Sequence, residues 1–297
     1  MMKTIAITGG TGAQGGGVAN IMLKTPGWKV RAITRNTNSD KARNLASQGA
    51  EVVQANFNDE NSLFKAFEGA NAIFAVTNFW EHLFTGKTQE QSGAIEEDKR
   101  AEKATKGKVR VPHLDYKAKV DDRIKSELPD LAKKATYLFF GYYPSNMAFL
   151  PALKPFEYPG AFGKYIQLLP TPSTAKIPVS GDMTVTPGIW VRQILANPSK
   201  SLGKYADVAP EILTFGEMME MWSEVTGRQG IFVECSQEDF EKIWGPAGNE
   251  MAMQFKFGEL LDDWHEGYDF VGMEELEIKA EEVPGFRKAI EGLKGLL

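Results

Sequence analysis

The chain has 297 residues, 42% hydrophobic and 25% charged, enough apolar material for a large α/β unit or a nucleotide-binding domain with a smaller appendage. A formal net charge of −5 argues against a direct hold on nucleic acid or an anionic membrane surface. One cysteine, Cys235, leaves no internal disulfide to form and favours a reducing, cytoplasmic setting.

A strand is predicted over Thr4–Thr8, so close to Met1 that no leader peptide is expected, and no apolar run reaches membrane-spanning length. A helix over Gln14–Leu23 follows, then a strand over Lys29–Thr34 and a helix over Ser39–Ser47 closed by Gly49. The alternation continues with a strand at Glu51–Gln54, a helix at Glu60–Phe67 before Gly69, and a strand at Ala72–Thr77. Strands alternating with helices imply parallel βαβ units in a doubly wound Rossmann sheet. Phe139–Gly141, led in by Ala135–Leu138, reads as a later core strand. From Tyr143 onward prolines at 144, 151, 155, 159, 170, 172 and 178 predict loops that build a substrate cap. Helices near Phe215–Thr226, Gln237–Ile243 and Asn249–Trp264 complete the chain. The expected organisation is a Rossmann domain over residues 1–150 and a smaller α+β cap over 151–297, with some segments returning to the sheet.

The turn after the first strand carries Gly9-x-x-Gly12-x-x-Gly15. The first glycine permits a tight turn, the second a close approach of backbone to a pyrophosphate, and the third close packing of helix on sheet. The helix N-terminus then offers N–H groups and a positive dipole end to the phosphates, with Thr11 inside the turn. Cofactor choice falls to the tip of the second strand. A carboxylate there would accept from a ribose 2′-hydroxyl, whereas Thr34-Arg35-Asn36, with Lys41 a short turn further on, offers cations for a 2′-phosphate. NADP(H) is therefore the expected cofactor, although Asp40 weakens the local positive field.

Gly9–Gly15, Thr34-Arg35-Asn36, Gln48–Gln54 and Val76-Thr77-Asn78-Phe79-Trp80-Glu81 together resemble the NmrA-like family. These are atypical short-chain dehydrogenases/reductases, and the chain looks nearest to the NADPH redox-sensor branch and its fungal relatives. The resemblance implies that Gly9, Gly12, Gln14 and Gly15 hold the pyrophosphate and that Arg35 and Lys41 hold the 2′-phosphate. Thr77 and Asn78 would line the nicotinamide half. Asn56 stands where the family carries an Asp near the adenine.

Ordinary short-chain reductases use Tyr-x-x-x-Lys on one helical face. Here His113-Leu-Asp-Tyr-Lys117 keeps the spacing and replaces the acid with His. The family resemblance makes Lys117 a cofactor-ribose contact, and related plant reductases use a Lys there as general acid or base. His113 is either a proton shuttle near neutral pH or a structural residue fixing the loop. Tyr143, in Tyr142-Tyr143-Pro-Ser-Asn146, would stack beside the nicotinamide or pack the cap. His82 and His265 lie far from any Cys or His pair, so no metal site is expected. Asp262-Asp263 and Glu281-Glu282 read as solvated faces, and Met218–Trp222 as core.

One departure from the family stands out. Between Ala94 and Pro112 no apolar run reaches strand length, and about one helix-plus-strand unit is missing on usual element lengths. The sheet would then close by bringing the Leu138–Gly141 strand beside the fourth strand, or lose a central ladder. The resulting expectation is an NADPH-dependent oxidoreductase acting on a small carbonyl, quinone or enone. The rival is a non-catalytic NADPH/NADP⁺ sensor acting on a protein partner, in the nucleus if it regulates transcription. Either form would be a monomer or homodimer that binds no nucleic acid or membrane directly.

Overall fold

In a computed structural model, the structure describes residues 2–77, 108–109, 111–160, 162–261 and 263–297. Strands β1 (Lys3–Ile7), β2 (Trp28–Thr34), β3 (Glu51–Gln54) and β4 (Ala72–Phe74) alternate with helices α1 (Ala13–Met22), α2 (Asp40–Ser47) and α3 (Glu60–Phe67). Beyond residue 107 the described elements start with α4 (Pro112–Glu127), α5 (Pro129–Ala132), β5 (Tyr137–Phe140), α6 (Asn146–Phe149), β6 (Phe156–Glu157), β7 (Lys164–Leu169) and β8 (Lys176–Val179). They continue with α7 (Thr186–Ala196), α8 (Pro198–Ser201), β9 (Tyr205–Val208), β10 (Glu211–Thr214), α9 (Phe215–Thr226), β11 (Gln229–Glu234), α10 (Gln237–Leu260), β12 (Phe270–Val271) and α11 (Phe286–Gly292).

The chain divides into two compact units. One comprises Met1–Thr77, Asp182–Ser201 and Gly272–Pro284, and the other the described residues of Asn78–Gly181 with Leu202–Val271 and Gly285–Leu297.

In the first unit the strands pair in parallel in the order β3-β2-β1-β4, the arrangement of a Rossmann half-sheet. Ile5, Ala6, Ile7, Ala32 and Ile33 are buried, as strands covered on both faces require. The helices begin where side chains take the first free N–H groups: Ser39 Oγ accepts from Ala42 N at 3.2 Å, and Asp59 Oδ1 from Ser62 N at 3.2 Å. β4 stops at Phe74, short of the expected Thr77, because a side chain takes over its ladder. Thr8 Oγ1 accepts from Val76 N at 2.8 Å and donates to the Val76 carbonyl at 3.3 Å. Helix α7 belongs to this unit and crosses α1 through two glycines. A Cβ on Gly17 would stand 2.7 Å from the Thr184 carbonyl oxygen, and one on Gly188 2.6 Å from that of Gly17. Side chains of α7 then tie down the last segment, with Gln193 Nε2 donating to the Glu277 carbonyl at 2.9 Å and Arg192 pairing with Glu282 at 2.8 Å.

Among its described residues the second unit holds three small sheets. β12-β9-β5 is parallel, β11-β7-β6 is mixed, and β10-β8 is antiparallel. Its core gathers Met147, Leu169, Phe215, Met218, Met219, Trp222, Phe240 and Phe286, so the methionine run is core as its spacing suggests. The proline-rich stretch expected to be loops contains β7 and β8. Pro178 fits inside β8 because its carbonyl still accepts, from Tyr142 N at 2.7 Å. The two expected helices after residue 237 run together as α10, broken at Gly245 (φ 64°, ψ −150°) ahead of Pro246, and the second half ends at Leu260 rather than Trp264.

Of the two alternatives for the Leu138–Gly141 strand, pairing with β4 is not the one seen among the described residues. β5 pairs with β9, register Tyr137↔Tyr205 to Phe140↔Val208, and among the described residues no ladder joins it to β4. Val111, in the segment too short for a strand, is the buried N-cap of α4, packed with Phe257.

Candidate functional site

The first unit brings the expected nucleotide residues to one edge. Gly9 follows β1, Arg35 follows β2, Asn56 follows β3 and Thr77 follows β4, so all four stand at the carboxyl ends of adjacent parallel strands. Ligands of open α/β sheets bind along such an edge. Asn78 lies outside the described residues, as do Phe79, Trp80, Glu81 and His82.

The turn itself is tight. Gly9 has φ +60°, Gly12 N donates to its carbonyl at 2.8 Å, and Gly10 N donates to the Ile33 carbonyl at 3.1 Å. A Cβ on Gly15 would lie 2.3 Å from the Gly9 carbonyl oxygen and 2.7 Å from that of Thr8. Only glycine lets α1 start this close to the strand. Gly12 is the N-cap of α1, no side chain caps it, and no acidic residue stands in the first turn. The dipole end is thus not neutralised from within its own helix. Gln14 is half-buried in that first turn. The Thr11 and Thr34 hydroxyls meet at 3.2 Å, and Thr34 Oγ1 also accepts from Asn36 N at 3.3 Å, which joins the glycine turn to the tip of β2.

At that tip Arg35 and Lys41 are both exposed. Asn36 shapes the loop between them, its Oδ1 accepting from Asn38 N at 2.9 Å and its carbonyl from Ser39 Oγ at 3.1 Å. Asp40 is paired with Arg43 one turn along α2, so a third cation offsets its charge. The i, i+3 spacing of Asp40 and Arg43 is the signal that could have shown this. Asn56 is tied into its own loop, where its Oδ1 accepts from Asn58 N at 3.0 Å and its N–H donates to Ser62 Oγ at 3.1 Å. Arg31, by contrast, is structural: it pairs with Glu51 at 2.7 Å and donates to the Glu68 carbonyl at 2.7 Å.

The second unit holds the residues with acid–base chemistry. His113 opens α4 and is buried, with both its backbone N and its Nδ1 on Glu250 Oε1, at 2.9 and 2.6 Å. Glu250 comes from α10, just past the break at Gly245, and is fully buried. Nothing in the sequence singled it out, since a lone acid in a helix reads as solvated. Lys117 lies one turn further along α4. The residue retains solvent exposure, yet desolvation around its ammonium lowers the pKa below the ordinary lysine value, and the Asp121 carboxylate opposes that shift. Tyr143 is buried, its ring 6.0 Å from that of Phe140 and its carbonyl accepting from Asn146 N at 2.9 Å. Its neighbour Tyr142 is buried against Phe215, and desolvation raises its phenol pKa beyond the normal range.

The NmrA-like family model matches residues 1–95 and 96–283. An NmrA-like family domain-containing oxidoreductase of Aspergillus hancockii is 29% identical, over 85% of this chain and 82% of its own. One from Aspergillus flavus is 26% identical over 98% and 92%. Among solved structures, NmrA, a negative transcriptional regulator in complex with NADP, shares the fold at a TM-score of 0.68 and 17% identity, over 99% of this chain and 96% of its own. Glycine turn, parallel half-sheet and family match agree, and the chain belongs to the NmrA-like family.

Proposed function

We propose that this protein holds NADP(H) on the carboxyl edge of its β3-β2-β1-β4 sheet and serves as a reductase of a small carbonyl, quinone or enone. The observation that carries this is the row of Gly9, Arg35, Asn56 and Thr77 beyond four neighbouring parallel strands. The residues present fit the dinucleotide. The Gly15 position is a cradle that even a methyl would fill, and the first turn of α1 carries no carboxylate to repel a pyrophosphate. Gly9, Thr11, Gly12, Gln14 and Gly15 would hold that group. Arg35 and Lys41 would grip the 2′-phosphate, the guanidinium as a fork and the ammonium as a point charge. Asn56 falls to the adenine side, Thr77 and Asn78 to the nicotinamide side. When bound, NADPH supplies a hydride.

Lys117 is assigned the ribose contact and the matching proton. A lysine whose ammonium is desolvated releases its proton more readily, which suits a donor working near neutral pH. Tyr143 is assigned the wall of the substrate pocket. The names of the Aspergillus relatives, both oxidoreductases, support this reading. A cytoplasmic location fits a chain whose described helices are none of them long and apolar enough to cross a membrane.

A second reading is favoured by His113. It occupies the place of the acid in ordinary short-chain reductases, and its Nδ1 is anchored by buried Glu250 at 2.6 Å. In that reading the protein is a sensor that binds NADPH and NADP⁺ unequally and shifts a partner's state. NmrA, which shares the fold, is described as a negative transcriptional regulator. Fluorescence titration tests the cofactor assignment: NADPH should bind more tightly than NADH, and Arg35→Glu should reverse that order. An unchanged preference in Arg35→Glu would refute the 2′-phosphate role. NADPH consumption over a panel of quinones and ketones, lost in Lys117→Ala, supports the reductase, and no turnover on any of them leaves the sensor.

A further inference from the structure

We infer that His113 exchanges protons through Nε2 alone, and that Glu250 is the positioning residue that makes it so by keeping a hydrogen on Nδ1. This deepens the reductase reading, and its catalytic part rests on that reading. The geometry starts at the head of α4. Val111 is the N-cap and offers no side-chain cap, and Pro112 fills the first helical position, so His113 carries the first N–H of the helix. That N–H donates to Glu250 Oε1 at 2.9 Å. An acid from α10 thus does from across the fold what a serine or aspartate cap does locally. The same oxygen meets His113 Nδ1 at 2.6 Å.

The second bond is the informative one, since a purely structural cap needs only the first. An oxygen that already accepts one N–H is placed to accept another, and imidazole is a stronger base than a carboxylate by about two pH units. The hydrogen between the two groups therefore sits on Nδ1. A neutral imidazole has one hydrogen, so its lone pair falls on Nε2, the reverse of the tautomer a free histidine favours. A second proton can then enter only at Nε2, with the Glu250 carboxyl across Nδ1–H to balance the cation, the part a buried carboxylate plays behind a catalytic histidine. The pair is also held firmly. Both residues are buried, and Phe257, further along α10, packs on Val111. Glu250 and Phe257 follow the break at Gly245, so one half-helix supplies both contacts.

The test reads the ring nitrogens of coenzyme-free protein by ¹⁵N NMR, at a pH where the ring is neutral; a nitrogen bearing hydrogen and one bearing a lone pair resonate far apart. The chain has three histidines, and the His113 signals are those lost in His113→Asn. The parent ring should show its hydrogen on Nδ1, and a hydrogen on Nε2 overturns the inference. Glu250→Ala should move both signals toward the average of the two tautomers, and Glu250→Gln, whose amide oxygen can accept both bonds, should restore the parent pattern. A Glu250→Ala ring identical to the parent's overturns the part given to Glu250; should that variant not fold, the parent spectrum decides. In His113→Asn the amide nitrogen stands in for Nδ1 and nothing replaces Nε2. NADPH consumption should then fall about a hundredfold in kcat, with melting temperature and NADPH affinity kept. An undiminished kcat refutes the proton role. Failure of the reductase reading would show separately, as a parent that consumes no NADPH while its ring spectrum stays as described.

Discussion

Gly15→Ala is the sharpest test of how the nucleotide cradle is built. The added methyl would sit 2.3 Å from the Gly9 carbonyl oxygen, 2.6 Å from its carbon and 2.7 Å from the Thr8 oxygen, where ordinary contact begins near 3.4 Å. All three atoms are backbone, so no side chain can swing aside and the turn or the helix must move by about 1 Å. Alanine in a helix gains about 1 kcal/mol over glycine, while overpacking of this kind costs about 1–3 kcal/mol. The expected net is a loss of up to about 2 kcal/mol in urea unfolding, together with at least about tenfold weaker NADPH binding, or about 1.4 kcal/mol. Gly16→Ala is the control, because its methyl would stand 3.4 Å from the Gly10 oxygen. It should be neutral or stabilising by up to about 1 kcal/mol, with the coenzyme bound as before. A Gly15→Ala protein as stable as the parent and equally able to bind NADPH would refute the packing argument, as would equal damage from both substitutions.

Two further outcomes follow from the second unit. Glu250→Ala leaves the His113 ring and its backbone N–H without their buried acceptor and should lower stability by about 3 kcal/mol, read as the urea midpoint; an unshifted midpoint would mean water replaces the carboxylate. Thr214 caps α9 reciprocally with Glu217, accepting from Glu217 N at 3.1 Å while Glu217 Oε2 accepts from Thr214 N at 2.7 Å. Those bonds from the Thr214 N–H and hydroxyl hold the Glu217 pKa below its ordinary 4.5, so their stabilisation is present above that value and lost as pH falls through the folded-state pKa. Thr214→Ala should therefore cost about 1 kcal/mol at neutral pH, most of it the non-titrating cap bond to Glu217 N, and the gap to the parent should narrow on acidification as the hydroxyl bond to the Glu217 carboxylate is lost; a gap that does not narrow would contradict the hydroxyl bond.

The first unit was legible because its signals are local. Ser39 and Asp59 mark helix starts by chemistry, Glu60–Phe67 was placed to the residue, and the glycine turn announces strand-to-helix geometry. The second unit was less so, since its order comes from contacts distant in sequence. β7 hid behind Gln167, a buried polar residue whose Nε2 donates to the Leu153 carbonyl at 2.8 Å. β8 hid behind Pro178, which sits where its missing donor does no harm. Arg35 and Lys41 could be picked out from their place after β2, whereas Glu250 could not. Its role exists only once α4 and α10 are side by side.

The crossing of α1 by α7 sets a timetable for synthesis. The glycine-notched side of the first helix stays wet until a stretch translated far later arrives to roof it, and Gln193 then needs the still later carbonyl of Glu277. A ribosome stalled midway would display a half-finished nucleotide fold with Gly17 and Ile21 uncovered, a natural client for chaperones. Excising residues 1–77 alone would reproduce that state permanently.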